Sequence, residues 1–190
     1  HSISDRTGIE RNELLLAAKQ VRDYFNNDTE FIDVRIVLHS IRRSIYNDRE
    51  ILHMRDVKSI VRKAYRLQEV TGLYIVVFTA LGLVFCRKQF VSLFTRCLSL
   101  GGQLALLSAI LIGLASLWGF DRLFLAFHLL SFSNDLWQLD PTRDYLIAMF
   151  PQEFFFDATL FTAASTVTQS ILLALTAPIM AWRRRSKIRS

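Results

Sequence analysis

The sequence VTGLYIVVFTALGLVFC, from Val70 to Cys86, decides the class of fold because 17 consecutive residues carry no charge. Two further uncharged runs follow, at 98–118 and 160–182. A transmembrane helix needs about 20 mostly apolar residues, and the first run reaches that length when flanking polar side chains extend to the interface. The composition agrees, with 52% hydrophobic residues and a mean hydropathy of +0.28. We therefore predict an all-α membrane protein, a transmembrane helix bundle whose spans are 70–86, 98–118 and 160–182.

The basic residues between and after these spans set the expected orientation. Three lie in the short loop 87–97, and five lie in the tail 183–190. Because short loops rich in Lys and Arg stay in the cytoplasm, we expect residues 1–69 and 119–159 on the opposite, outer face. An export signal or another transmembrane helix must then precede His1, and we predict a fourth, N-terminal span. The formal charge of +6 therefore reflects topology, and no nucleic-acid partner is expected.

Residues 1–69 predict a small, mainly helical domain outside the bilayer. They carry thirteen basic and eleven acidic side chains, a mixture typical of a folded polar domain. Apolar residues recur at helical spacing from Asn12, and the segment FIDVRIVLHSI at 31–41 alternates loosely, as a short strand or an extended segment does.

A second helix is predicted from about Arg49 to Glu69. Asn47 or Asp48 suits its N-cap. Its apolar face consists of His53, Val57, Ile60, Ala64 and Leu67. Its cationic residues, Arg55, Lys58, Arg62 and Arg66, are expected largely off that face.

The stretch between the second and third spans, 119–159, is unlike a plain connecting loop. It carries six acidic residues against two basic ones, and Phe, Leu and Trp are frequent. Phe124, Leu125 and Phe132 are the i±3 and i±4 neighbours of His128, so a helix here holds the imidazole among apolar side chains. Such an amphipathic segment is expected to be an interfacial helix, half-buried at headgroup depth.

Histidines are the side chains best suited to catalysis in this sequence. The G-x-S-x-G, H-E-x-x-H, C-x-x-C and Gly-rich phosphate-loop motifs are absent, so a soluble-type hydrolase or nucleotide enzyme is unsupported. His53 and His128 are expected on the same side of the membrane, where two imidazoles suit a general base and a general acid. The structural alternative is that both rings only pack, with Asn134 and Asp135 in a turn and Trp137 as an interfacial anchor.

Two stretches carry the most specific pattern of the sequence. The first is HMRDVK, at 53–58. The second contains Phe127-His128, Phe132, Asn134-Asp135, Trp137, Leu139-Asp140-Pro141, Asp144, Leu146-Ile147, Met149-Phe150-Pro151 and Phe154-Phe155. Together they resemble the signature stretches of the bacterial Lit family of lipoprotein intramolecular transacylases. The resemblance runs from about residue 10 to the end, and it implies four transmembrane helices, of which the first is not in this chain.

The resemblance implies a reaction on a lipidated cysteine. The sn-2 acyl chain of a diacylglyceryl-cysteine lipoprotein moves to the α-amino group of the same cysteine and leaves an N-acyl lyso-form. The amine must lose a proton, the oxyanion must be stabilised and the glyceryl alkoxide must gain a proton. Because nucleophile and ester belong to one substrate, no enzyme nucleophile, metal or cofactor is implied. The expected partners are diacylated lipoproteins and membrane lipid, at the outer face of the bacterial cytoplasmic membrane.

The resemblance also implies roles for residues. His53 and His128 match the family's two catalytic histidines and act jointly as base and acid, with the division between them left open. The candidates for orienting an imidazole or stabilising the oxyanion are Arg55, Asp56, Asn134 and Asp135. The residues expected to line the acyl-chain site are Phe124, Phe127, Phe132, Phe154 and Phe155.

Two other functions stay open on the residues alone. A metal-dependent membrane hydrolase would use His53, His128 and one of Asp56, Asp135 or Asp140 as ligands, although no spacing enforces that set. A non-catalytic membrane scaffold would use both histidines only for packing. Metal analysis tests the first alternative, and His→Ala variants that fold but lack activity would exclude the second.

Overall fold

The computed structural model describes residues 3–38 and 40–179, so the basic tail and the end of the predicted third span lie outside it. In chain order the elements are α1 (Ile3–Thr7), α2 (Arg11–Phe25), β1 (Arg35–Leu38), β2 (Ile41–Ser44), α3 (Asp48–Phe85), α4 (Arg87–Ser131), α5 (Tyr145–Met149) and α6 (Gln152–Ala174). Within these described residues, three helices, α3, α4 and α6, are long and apolar enough to cross a membrane. The all-α membrane class is therefore confirmed.

The described residues divide into two compact units. The first unit contains the chain up to Gln68 together with Phe124–Phe155, and the second contains Glu69–Leu123 together with the chain from Phe156 onward. Each unit therefore joins segments that are distant in sequence.

A two-stranded hairpin in the first unit accompanies the helices. Antiparallel pairing sets Arg35 opposite Ser44 and Leu38 opposite Ile41. In β1, Ile36 and Leu38 are buried while the residues between them are exposed, as a period of two requires. The expectation of a short strand near residue 35 is thus confirmed, and β2 is an addition to it.

The first unit has its own hydrophobic core, and both chain segments of the unit contribute residues to it. Ala17, Val21 and Tyr24 enter it from α2. Tyr46 and Met149, which are 103 residues apart, are both buried, and the Tyr46 hydroxyl donates to the Met149 sulfur at 3.9 Å. The segment after His128 therefore completes a core that the N-terminal residues begin.

The helix predicted at 49–69 and the span predicted at 70–86 form one continuous helix, α3 (Asp48–Phe85). Asn47 caps it, since its Oδ1 accepts from the Glu50 N–H at 3.1 Å. A cationic residue expected off the apolar face of this helix is nevertheless buried. Lys58 is only 4% exposed, because its Nζ donates to Asn27 Oδ1 and to the Thr29 carbonyl oxygen.

Residues 87–97 do not form the loop predicted between the first two spans. Helix α4 begins at Arg87, and Cys86 is the one residue between α3 and α4. The Phe90 ring packs against Gly82, where an added Cβ would come within 2.1 Å of it. This close contact and the bond from the Phe90 N–H to the Cys86 carbonyl at 2.8 Å let helix resume at once.

Small residues allow α4 and α6 to approach closely in the second unit. A Cβ on Gly102 would lie 2.6 Å from the Ala174 backbone nitrogen and 2.9 Å from the Ser170 carbonyl oxygen. The Ser99 hydroxyl donates to the Ala174 carbonyl at 2.7 Å. Such contacts are typical of helix pairs within membranes, where small residues and side-chain hydroxyls join neighbouring backbones.

Two helix boundaries bear on the site. The backbone of α4 leaves helical geometry at Gly119, with φ −174° and ψ 74°, and helix then continues to Ser131. Helix α6 starts at Gln152, before the residue 160 predicted for the third span. The early start makes Phe154 and Phe155 part of a helix.

Candidate active site

His53 and His128 lie together in the first unit. His53 is in the second turn of α3 and His128 is near the end of α4, yet their ring centroids are 6.3 Å apart with 31° between the planes. Both rings are almost buried, at 7% and 8% exposure. The structure therefore assembles a histidine pair from two distant segments.

The Nδ1 atom of His128 has a backbone partner. It lies 2.7 Å from the carbonyl oxygen of Phe124, one turn earlier in α4. A carbonyl oxygen only accepts, so Nδ1 must carry the proton, and the neutral ring then holds its lone pair on Nε2. Phe124 and Trp137 contact the ring, with centroids 4.3 and 5.1 Å away. This arrangement orients an imidazole whose Nε2 is available as a base.

His53 has a different environment. Its Nδ1 is buried and has no hydrogen-bond partner within residues 3–38 and 40–179. The Phe132 ring packs edge-on against it at 5.2 Å. Burial lowers the pKa of His53 to about 4, the charge of His128 adds to that decrease, and Asp56 opposes it. His53 is therefore a neutral imidazole near neutral pH.

Three of the four candidate orienting residues form one polar group beside His53. Asn134 Nδ2 donates to Asp56 Oδ2 at 2.8 Å. Arg55 lies 3.7 Å from Asp56 and 3.8 Å from Glu30. The amide of Asn134 is thus engaged with Asp56, which joins the turn after α4 to α3.

Asp135, the fourth candidate, makes other contacts. Its backbone oxygen accepts from Arg49, and its carboxylate accepts from the Gln138 side chain at 3.5 Å. Among the residues described, no hydrogen bond links Asp135 to either imidazole. Its contacts hold the 134–138 turn against the start of α3.

Phenylalanine rings continue outward from the histidine pair. Phe127 and Phe132 have centroids 5.4 and 5.6 Å from His128. Phe124 is 5.5 Å from Phe155, which is 5.3 Å from Phe154. The five phenylalanines named from the sequence are therefore linked to His128 by ring contacts.

Glu50 is a residue of this site that sequence reasoning missed. It is fully buried, and its carboxylate accepts from the Asn47 N–H at 2.8 Å and from the Leu146 N–H at 2.6 Å. Burial raises its pKa, which these backbone hydrogen bonds oppose. The spacing Asn47-x-x-Glu50 is a capping-box pattern that could have identified it.

The residues of the metal-hydrolase alternative include the neighbouring His53 and His128, but the described residues do not complete a three-ligand group around them. In the part of the chain that the structure describes, no group of three or more His, Cys, Asp or Glu side chains is placed to hold a metal ion. Asp140 instead accepts from the N–H and hydroxyl of Thr142 at 2.8 and 2.7 Å.

Comparison with known proteins gives consistent matches. The family model described as lipoprotein intramolecular transacylase Lit matches residues 1–155. An uncharacterized protein of Aquifex aeolicus (strain VF5) is 25% identical over 172 residues, which is 90% of this chain and 74% of that protein. The in meso structure of the membrane-integral Lit from Bacillus cereus matches with a TM-score of 0.75 and 25% identity, covering 97% of this chain and 80% of that one.

A second structure of the Bacillus cereus protein, in which one histidine is replaced by arginine, has the same fold. It matches with a TM-score of 0.67 and 24% identity over 97% of this chain and 77% of that one. Because the family model covers most of the sequence and the fold agrees over nearly all of it, the chain is a multi-pass membrane protein that belongs to the Lit family of lipoprotein intramolecular transacylases.

Proposed function

We propose that this chain moves the sn-2 acyl chain of a diacylglyceryl-cysteine lipoprotein to the α-amino group of the same cysteine, with His53 and His128 as the catalytic pair. The observation that carries the proposal is the 6.3 Å separation of two nearly buried imidazoles among aromatic rings. Two titratable, nearly buried rings suit proton transfer, and family membership supplies the reaction class.

His128 is the proton carrier in this proposal. The hydrogen bond from its Nδ1 to Phe124 leaves Nε2 to take a proton from the attacking amine. The same bond stabilises the imidazolium that results, because the carbonyl dipole faces the protonated ring. The imidazolium then returns the proton from Nε2 to the leaving group.

His53 acts in its neutral form. Its lowered pKa keeps the ring uncharged at neutral pH, so it provides one N–H donor rather than a cation. We assign this donor to the carbonyl oxygen that becomes negative when the amine attacks. Asp56, bonded to Asn134, acts electrostatically on His53 and holds the turn beside it.

The bond changes balance within one substrate. The α-amino nitrogen forms a bond to the ester carbonyl carbon and loses a proton to His128. The tetrahedral intermediate collapses, the bond to the sn-2 oxygen breaks and that oxygen takes the proton. An ester and an amine become an amide and an alcohol, so no water or enzyme nucleophile is consumed.

The phenylalanines supply an apolar wall for the acyl chain. Phe127 and Phe154 are each 51% exposed, whereas His128 behind them is nearly buried. Exposed aromatic rings next to a shielded polar centre suit a fatty-acyl ligand, because the chain buries their surface and keeps water from the imidazoles.

The placement in the cell is also proposed. Residues 1–69 and 119–159 face the outside of the bacterial cytoplasmic membrane, the segments 70–86, 98–118 and 160–182 cross it, and residues 87–97 and 183–190 are cytoplasmic. Both histidines belong to the outer segments. A lipoprotein that has been anchored in the outer leaflet would meet them there.

Mass spectrometry of a synthetic diacylglyceryl lipopeptide tests the proposal. Intramolecular transfer is an isomerisation, so the intact mass must stay constant while fragment ions show acylation of the amine. Wild type is expected to form the N-acyl product, and His53→Gln and His128→Gln to leave the substrate unchanged. The matched control is Lys19→Gln, at an exposed position of α2.

Two outcomes would contradict the proposal. Loss of the mass of one acyl chain, with release of free fatty acid, would indicate a hydrolase and call for metal analysis. Full activity in both histidine variants would show that the pair only packs.

A further inference from the structure

A polar cavity of about 630 Å³ lies between α3 and the loop before residue 31, in the first unit. Its basic lining residues are Arg55, Lys58, Arg62, Lys63 and Arg66. Its acidic lining residues are Asp28, Glu30 and Asp56. The excess of cations over carboxylates favours an anionic ligand.

Lys58 gives the cavity a buried positive charge. Its Nζ donates to Asn27 Oδ1 at 3.1 Å and to the Thr29 carbonyl at 2.7 Å, and it lies 3.9 Å from the centroid of the Tyr24 ring. These partners are all uncharged. Within the described ranges no carboxylate is in ion-pair contact with this ammonium, and the Asp28 carboxylate at the same cavity acts on it only through longer-range attraction.

Two of the three ion pairs at the cavity have a highly exposed carboxylate and are therefore weak. In the third, Arg55 lies 3.7 Å from Asp56, whose side chain is 21% exposed. Arg62 lies 2.8 Å from Asp28, but the Asp28 side chain is fully exposed at 104%. Arg55 is 3.8 Å from Glu30, which is 65% exposed. Such solvated pairs are worth little, so they leave the arginines attractive to an incoming anion.

Helix α3 carries both the cavity-lining cations and the first uncharged run. Lys63 and Arg66 precede Val70, the start of the uncharged run, by seven and four residues of continuous helix. At 1.5 Å per residue these positions are at most about 10 and 6 Å from the hydrocarbon boundary. The headgroup layer is roughly 5–8 Å deep on each side, so Arg66 lies within it and Lys63 lies at its outer edge, from which its long side chain reaches the layer. Glu69 is the one acidic residue between them and the span.

We propose that this cavity binds the phosphate-bearing headgroup of an anionic phospholipid, with Lys63 and Arg66 as its contacts on the membrane side. A cluster of Lys and Arg at headgroup depth next to a transmembrane helix attracts anionic lipid. The loop that Lys58 anchors forms the opposite wall. This inference rests on the membrane-embedded fold and not on the roles of the histidines.

Native mass spectrometry of delipidated protein, incubated with equimolar phosphatidylglycerol and phosphatidylcholine, tests it. Wild type is expected to retain phosphatidylglycerol in preference. The double variant Lys63→Gln/Arg66→Gln is expected to lose that preference by about tenfold, since each cation contributes at headgroup depth. Both side chains are exposed, so the variant should fold, which a thermal melt verifies.

The matched control is Arg42→Gln/Arg43→Gln, which removes the same charge from exposed positions of β2. The proposal would be overturned if wild type retained both lipids equally. It would also be overturned if the control lost its preference for phosphatidylglycerol to the same extent as Lys63→Gln/Arg66→Gln. Displacement of the lipid by inorganic phosphate, at an ionic strength where sodium chloride does not displace it, would show an anion site only. A lipid preference that survives in both histidine variants would keep this result separate from catalysis.

Discussion

The two histidines differ in how each ring is held. Nδ1 of His128 donates to a carbonyl four residues earlier in its own helix, at 2.7 Å. Nδ1 of His53 has no partner among the described residues, and the position of His53 depends on contacts that its helix makes with distant segments. One ring is oriented locally and the other by tertiary structure, so we expect the two to respond differently to substitution.

The largest expected effect comes from His128. In the proposed mechanism Nε2 of His128 carries the proton in both directions, so His128→Gln should lower the rate of N-acylation by about 10³–10⁴-fold. The measurement is the initial rate with a synthetic diacylglyceryl lipopeptide in detergent. His128→Gln should keep a melting temperature near that of wild type, because the lost bond is local. A loss below tenfold would remove His128 from the proton transfer.

A smaller loss of rate is expected for His53. If it only donates a hydrogen bond to the oxyanion, His53→Gln should cost about 10²–10³-fold in turnover number. His53→Asn, which presents a shorter donor, should lose more than His53→Gln. Equal rate losses for His53→Gln and His128→Gln would contradict the division of roles and indicate that the pair acts as one unit.

The next prediction concerns Glu50, whose carboxylate makes the capping contact one turn before His53. Glu50→Ala leaves the Leu146 N–H buried without its acceptor and removes the acceptor of the part-buried Asn47 N–H, which should lower the free energy of unfolding by about 2–4 kcal/mol. A thermal melt in detergent measures it. The matched control is Glu10→Ala, since Glu10 is exposed and makes no side-chain cap bond. Equal melting temperatures for both variants would show that the Glu50 contacts contribute nothing.

The smallest expected effect is a pH dependence of the free energy of unfolding, which arises from His53. The pKa of His53 is about 4 in the native protein against 6.5 ordinarily. Between these values the unfolded chain binds a proton that the native protein excludes, so the free energy of unfolding falls as pH decreases. From pH 7 to pH 5 this amounts to about 2 kcal/mol, and a series of thermal melts measures it. His53→Gln should flatten the dependence. An identical slope in that variant would mean that other groups cause it.

Much of the fold could be predicted because the deciding signals are local. Uncharged runs identify the apolar helices, and the alternation near residue 35 identifies a strand. The turn between α3 and α4 could not be predicted, because the charges of Arg87 and Arg96 suggest a loop while the Phe90–Gly82 contact permits helix.

The site was predictable only in part. His53 and His128 could be named from their apolar neighbours, yet their proximity arises from tertiary packing. Lys58 shows the limit of periodicity, because its burial depends on acceptors in the loop at residues 27–29. Glu50 acts through Leu146, 96 residues away, and no local pattern reveals that partner.

The discontinuity of the first unit also constrains how the protein is made. Tyr46 and Met149 are joined across 103 residues, and the whole segment between Gln68 and Phe124 belongs to the other unit. During synthesis the core of the N-terminal segment therefore stays incomplete until residue 149 has been synthesised. Closing so long a loop carries an entropic cost that only the finished core repays. The histidine pair is consequently among the last features of the protein to form, and a chain truncated before α5 would have the histidines but not the core that holds them together.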